Sequence, residues 1–188
     1  MARAGLSPRA VVDAALAIVD EQGEQAVTLA AVAARTGVAT PSLYKHVASL
    51  TDLRRLMALR VLEDVGELTA TAVLGRSRDD AVAAAMTALR DYVRRSPRRY
   101  PLMPMQPIVD PLWAEAGRRL LDVLIAVVRG YGLTDSAAVH GVRRLRAALH
   151  GFASIEAVGG FGLPEDVDET FASLVEMVCA SLRPPPPV

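Results

Sequence analysis

The chain has 188 residues with 21 basic and 21 acidic side chains, so its formal net charge is zero and no overall positive field marks a polyanionic partner. Any basic footprint has to be local. Hydrophobic residues make up 52% and aromatics only 4%, with Ala, Val and Leu prevailing, a mix that favours helices packed on helices and excludes a fibrous or disulfide-stapled chain.

Ser7-Pro8 reads as the N-cap and first position of a helix, and Val11, Val12, Ala15, Leu16, Ile18 and Val19 form one apolar stripe along it until Gly23 ends it. Thr28 caps a short second helix that carries Leu29, Val32 and Ala33 and stops at Gly37. Thr40-Pro41 starts a third, predicted to run to about Val47. Ser49 with Asp52 three residues on resembles a capping box opening a long fourth helix to about Ala72. After a break at Leu74–Ser77 a fifth helix covers about 78–95 and stops before Pro97. SPRRYPLMPMQPIVDP then holds five prolines, so it is a connector with room for at most a single turn. Asp110-Pro111 restarts a helix to about Gly130, Thr134 caps the next to about Val158, GGFGLPED is a loop, and a last helix spans about 166–182. The pattern predicts an all-α chain of about nine helices without strands or repeats. The expected division is 1–50, 51–183, and a Pro-rich tail at 184–188.

The remaining exclusions are chemical. A single cysteine, Cys179, cannot form an intrachain disulfide, which fits a reducing cytoplasm. Set among Val175, Val178 and Leu182, it reads as a small core residue, with a redox sensor as the alternative. No apolar stretch reaches the ~18 residues of a membrane span. MARAGLSPRA lacks the apolar core of a signal peptide. His46, His140 and His150 have no metal-ligand spacing, and there is no Gly-rich phosphate loop or nucleophile elbow. The expectations are no catalytic centre, no cofactor, no metal and no membrane partner.

The second and third helices, joined at Gly37, form a helix-turn-helix pattern, in which the second element enters the DNA major groove N-terminal end first. TPSLYKHV is accordingly dense in hydrogen-bonding groups. Thr40 and Ser42 can donate to phosphate or to base edges, Tyr44 offers a ring and a hydroxyl, Lys45 a charge, and His46 a donor. Leu43 and Val47, four apart, are left to hold the helix on its scaffold. The alternative is a solvated surface helix with an ordinary cap.

TLAAVAARTGVATPSLYKHVASLTDLRRL resembles the signature of the tetracycline-repressor (TetR) family, matching at Thr28, Val32, Ala33, Thr36, Gly37, Val38, Ala39, Leu43, Tyr44, His46, Val47 and Leu53. The resemblance covers about 50 N-terminal residues. It implies that Thr28, Thr40, Pro41, Ser42, Tyr44, Lys45 and His46 form the DNA-facing set, with Tyr44 and His46 mainly on backbone phosphate. Leu50 stands where the family usually has a phosphate-contacting Lys. Arg54 and Arg55, a turn later, are the nearest replacements, or else solvated.

In the second half, ALRDYVRRSPRRYPLM and RRLRAALHGFASIEAVGGFG resemble a subgroup of that family with a Trp-His-Gly motif, of which His150-Gly151 is kept and Leu149 replaces Trp. Leu145, Leu149, Phe152 and Ile155 line one of the last two long helices, and Phe171, Leu174, Val178 and Leu182 the other. Either they complete a monomer core, or, as the family implies, they pair across a two-fold axis. Met86, Tyr92, Tyr100, Met103, Met105, Trp113 and Phe161 gather much of the chain's flexible and aromatic bulk and are candidates for an apolar pocket, with gap-filling as the alternative. His150 is either a satisfied core or interface group or a donor to a ligand. Arg143, Arg144 and Arg146 read as solvated or as cross-interface partners of acids.

These residues and the resemblance together predict a homodimeric, DNA-binding transcriptional regulator. It is expected to be a repressor that an apolar small molecule releases from a palindromic operator, with a ligand-dependent activator as the alternative. The rivals are a helical dimerisation module that never touches DNA, which leaves the Thr40–His46 cluster unexplained, and an all-α enzyme, which lacks any clustered nucleophile, acid–base pair or metal set.

Overall fold

The computed structural model describes residues 6–105 and 110–183; the predicted tail at 184–188 and the middle of the Pro-rich connector lie outside them. Among the described residues there are eight α-helices, two short 3-10 turns and no strand. In chain order the helices are α1 (Pro8–Gln22), α2 (Leu29–Thr36), α3 (Thr40–Leu43), α4 (Leu50–Val73), α5 (Arg78–Arg95), α6 (Pro111–Arg129), α7 (Asp135–Ala157) and α8 (Val167–Leu182). The 3-10 turns are Glu24–Ala26 and Tyr100–Leu102, the second being the single turn that the connector has room for. The chain divides into two compact units, one comprising residues up to Glu63 together with Ser96–Trp113, the other Asp64–Arg95 and the chain from Ala114 onward.

The first unit is built from capped helices. Ser7 Oγ accepts the Ala10 N–H at 3.1 Å and Thr28 Oγ1 accepts that of Ala31 at 3.0 Å, so each helix start has an orphan donor satisfied. Gly37 ends α2 with φ +69°, a left-handed turn that a Cβ would oppose. The predicted stripe of α1 is buried, Val11, Ala15 and Val19 completely, against α2. The third helix is shorter than expected. It is regular only from Thr40 to Leu43 and continues as turns in which His46 and Val47 both donate to the Leu43 carbonyl, at 2.8 and 3.0 Å. The fourth helix stops it: Ser49 Oγ accepts the Asp52 N–H at 3.0 Å, and the Asp52 carboxylate accepts the Ala48 N–H at 2.9 Å. This differs from the usual capping box by one residue, because the carboxylate reaches the residue before the cap.

The chain returns to this unit at Ser96, and three arginines fasten the returning segment. Arg99 pairs with Asp20, and Arg98 donates to the Asp20 and Glu21 carbonyls at 2.9 and 2.6 Å, placing a cation at the negative end of α1. Arg55 of α4 makes a two-pronged pair with Asp110, at 2.7 and 2.8 Å, and Trp113 Nε1 donates to the Arg55 carbonyl at 3.1 Å.

The second unit has a core drawn from α5, α6, α7 and α8, including Val82, Met86, Val128, Val142, Leu145, Phe152, Phe171 and Leu182. Arg90 is buried within this unit and 6% exposed. Its guanidinium holds Glu156 at 2.8 and 2.5 Å and Asp168 at 2.7 Å, and it lies 4.4 Å from the ring centre of Phe171.

At the opposite end of α5, Asp79 accepts from the Tyr131 hydroxyl at 2.7 Å and from Arg183 at 2.6 Å. These two donors, the tyrosine first, hold the Asp79 carboxyl below its usual value, and burial pushes the Tyr131 phenol and the Cys179 thiol up. A carboxyl whose pKa is lowered by folding stabilises the fold above its unfolded value of about 3.9 and loses that contribution as the pH falls through the folded value. Asp79→Asn is therefore expected to lower the urea midpoint at pH 7 by an amount that shrinks between pH 4 and pH 3. An unchanging gap across that range would assign the effect to hydrogen bonding alone.

Candidate functional site

Two regions carry the residues predicted to act. The first is the stretch from Thr28 to His46. Leu43 and Val47 are buried at 0% and 2% exposure, with the third helix packed on α2, and the residues between them are exposed or half-buried. Tyr44 is 56% exposed, Thr28, Pro41 and Lys45 are exposed, and Thr40, Ser42 and His46 are half-buried. No side chain caps the start of α3, in contrast to α1 and α2. Thr28 divides its use, since its hydroxyl oxygen already accepts from Ala31 while its hydrogen stays available. All seven residues predicted to face DNA are thus exposed or half-buried, and the residues on either side of the Tyr44–His46 stretch, Leu43 and Val47, are buried.

Leu50, where a lysine was expected, is half-buried at the start of α4. Neither nearby arginine stands idle in its place: Arg54 lies 3.7 Å from Glu24, and Arg55 is committed to Asp110 and lies 3.7 Å from Asp52. The Asp110 hydrogen bonds come first among the causes that raise the Arg55 pKa.

The second region is the expected pocket, and here the structure redistributes the candidates. Tyr100, Met103, Met105 and Trp113 belong to the first unit, where Tyr100 and Met103 are buried and Trp113 is pinned to α4. Met86, Tyr92, His150 and Phe161 belong to the second. Met86 is completely buried core, Phe161 stacks on Phe152 with ring centres 4.9 Å apart, and His150 Nδ1 lies 3.4 Å from Ser154 Oγ. Of these eight candidates, Tyr92 alone lines a groove described in the second unit. That groove, of about 570 Å³, is lined by Asp64, Glu67, Leu68, Thr71 and Ala72 of α4 and by Ala88, Asp91, Tyr92 and Arg95 of α5. The other lining residues were not singled out from the sequence. Their signal was present as spacing, since 64, 67, 68, 71 and 72 share one helical face, as do 88, 91, 92 and 95.

The residues predicted for a dimer face lie mostly inside the single chain, the monomer-core alternative. Leu145, Leu149, Phe152, Phe171, Val178 and Leu182 are buried at 7% exposure or less within the core of a single chain. Leu174 is half-buried, and only Ile155, 44% exposed, offers substantial surface. A helix stripe reads the same whether its own chain or a copy covers it, and here the chain covers most of it.

Residues 11–55 match the family described as bacterial regulatory proteins, tetR family, and residues 82–178 match the tetracyclin repressor-like C-terminal domain. The chain is 35% identical over 182 residues to the HTH-type transcriptional regulator Rv0681 of Mycobacterium tuberculosis, covering 96% of this chain and 83% of that one. Its fold is similar to that of the transcriptional regulator SCO7222, a TetR from Streptomyces coelicolor, at 21% identity with a TM-score of 0.77 over 95% of this chain and 98% of that one. It is also similar to the Streptomyces coelicolor TetR family protein ActR in complex with (S)-DNPA, at 20% identity with a TM-score of 0.69 over 95% and 98% of the two chains. The family binds operator DNA and typically forms homodimers, and its members are transcriptional regulators rather than enzymes. With a tetR-family match at one end and a repressor-like C-terminal-domain match over most of the remainder, the chain belongs to the TetR family and is a DNA-binding transcriptional regulator.

Proposed function

We propose that the protein is a homodimeric repressor that binds a palindromic operator through Thr40–His46 and leaves it when a small molecule occupies the second unit. The observation that carries this reading is the outward arc of Tyr44, Lys45 and their neighbours between the buried Leu43 and Val47, which presents donors and a cation from a rigid base. A dimer follows from operator geometry: two recognition helices reach successive major grooves when their half-sites lie about 34–36 Å apart. On α7 and α8, pairing would rely on exposed positions such as Ile155 and Met177. Domain boundaries near residue 50 and action in the cytoplasm belong to the same reading. So does the finer subgroup placement, which rests on His150-Gly151.

Coupling is proposed to run through α4, which starts in the first unit and ends in the second. Occupancy that favours one position of α4 changes the spacing of the paired recognition helices, and a preference of ~1–3 kcal/mol for the DNA-incompetent state is enough for regulation. ActR supports an effector role for the second unit, since that neighbour is known in complex with (S)-DNPA.

The test is selection of bound sequences from a random DNA pool at two salt concentrations. A palindromic consensus whose enrichment falls steeply with salt is the expected result. Enrichment of a single undivided half-site would overturn the dimer, and no enrichment even at low salt would overturn operator recognition by the free protein.

A further inference from the structure

We propose that the groove between α4 and α5 binds an amphiphilic organic cation: one fixed positive charge on an apolar body. This rests on the effector-responsive reading above and names the class of effector. The site is first of all an open groove. Its volume, about 570 Å³, falls within the ~300–1,000 Å³ of small-molecule sites. The lining residues Thr71 and Ala72 of α4 and Ala88 of α5 are small, which leaves room between the two helices.

The groove has an apolar wall and a charged rim. Leu68, Ala72, Ala88 and the ring of Tyr92, which is only 8% exposed, provide the wall. Asp64, Glu67 and Asp91 face it with one cation, Arg95, so acids outnumber bases three to one. Carboxylates beside a low-dielectric wall focus a negative potential into the space between them. An anion is repelled there. A neutral apolar ligand covers the acids without compensating them, which costs desolvation. A cation with an apolar body meets both demands. An ammonium or phosphonium buried in its own substituents suits the site best, because it is weakly hydrated and gives up little water on entry.

The experiment is calorimetric titration of the DNA-free, full-length protein with tetraphenylphosphonium and with tetraphenylborate, an anion of nearly the same shape. Saturable phosphonium binding at one per chain, at least tenfold tighter than borate and weakened by salt, is the expected result. Glu67→Gln with Asp91→Asn changes two exposed residues and should cost at least tenfold in phosphonium affinity at an unchanged thermal midpoint. Ala88→Phe fills the groove without altering its charge and should abolish binding. Equal or tighter borate binding, phosphonium binding that both variants leave intact, or no phosphonium binding would each overturn the proposal. Because the titration contains no operator, its failure leaves operator release by another class of ligand standing. Phosphonium binding without operator release would instead count against the effector reading while leaving the site's chemistry intact.

Discussion

Arg90→Leu is expected to lower the stability of the protein by about 3 kcal/mol, the lower end of the 3–5 kcal/mol typical when one partner of a buried ion pair is removed. The side chains of Arg90 and Glu156 are 7% and 17% exposed, whereas that of Asp168 is 67% exposed. Losing the arginine therefore strands Glu156 in a mostly dry site, while Asp168 turns to water at little cost. The substitution also removes the guanidinium from above Phe171 and Phe152, 4.4 and 5.3 Å from their ring centres. For a chain of this size 3 kcal/mol corresponds to a fall of about 6–12 °C in thermal midpoint. Arg90→Lys should recover only part, since a single ammonium cannot hold Glu156 with two parallel bonds and also lie flat on a ring. Adding Glu156→Leu to Arg90→Leu should recover more, because it removes the stranded carboxylate. A single Arg90→Leu variant within ~1 kcal/mol of the wild type would show that Glu156 is well solvated and that this interpretation of the cluster is wrong.

That cluster was not legible in the sequence, and the reason is distance along the chain. Arg90 and Glu156 are 66 residues apart, and Trp113 and the Arg55 carbonyl 58 apart. Nothing local to either partner announces the other. What was legible is what neighbouring residues decide. Ser7, Thr28, Gly37 and the Ser49/Asp52 pair set helix ends through contacts three or four residues long, and α5 occupies the expected 78–95. The burial of Leu43 and Val47, which leaves a polar stretch between them, was legible for the same reason. The stripes of α7 and α8 were legible as apolar but not as to what covers them. Of the pocket candidates, Met86 is buried in the core and Trp113 is bonded to the Arg55 carbonyl, and a cavity is a property of the space between helices that large side chains do not announce. The groove is marked instead by small residues, Ala72 and Ala88, and composition gives no warning of these.

Tyr44→Ala combined with Lys45→Ala is expected to leave folding intact and to weaken binding to the selected operator by roughly 10–100-fold, about 1.4–2.7 kcal/mol. Both residues are exposed, and the residues that hold the turn, Leu43 and Val47, are untouched, so the thermal midpoint should move by no more than ~0.5 kcal/mol equivalent. The salt dependence carries more information than the affinity. Each lost phosphate contact flattens the plot of log K against log salt by about one unit, so removal of Lys45 should reduce the slope by about one per subunit. Tyr44, uncharged, should cost affinity with little change of slope, and the two single variants should separate these signatures. Leu43→Ala makes the opposing control: it cuts a side chain with 0% exposure, should cost about 2–5 kcal/mol of stability, and loses DNA because the arc loses its base. An unchanged affinity and slope in the double variant would move DNA contact away from the Thr40–His46 arc. With Leu50 in the lysine position, Arg55 paired with Asp110 and Arg54 3.7 Å from Glu24, either arginine would have to leave an acid before taking over the role of Lys45. Lys45 should therefore carry a larger share of the electrostatic binding than it would beside a lysine at position 50.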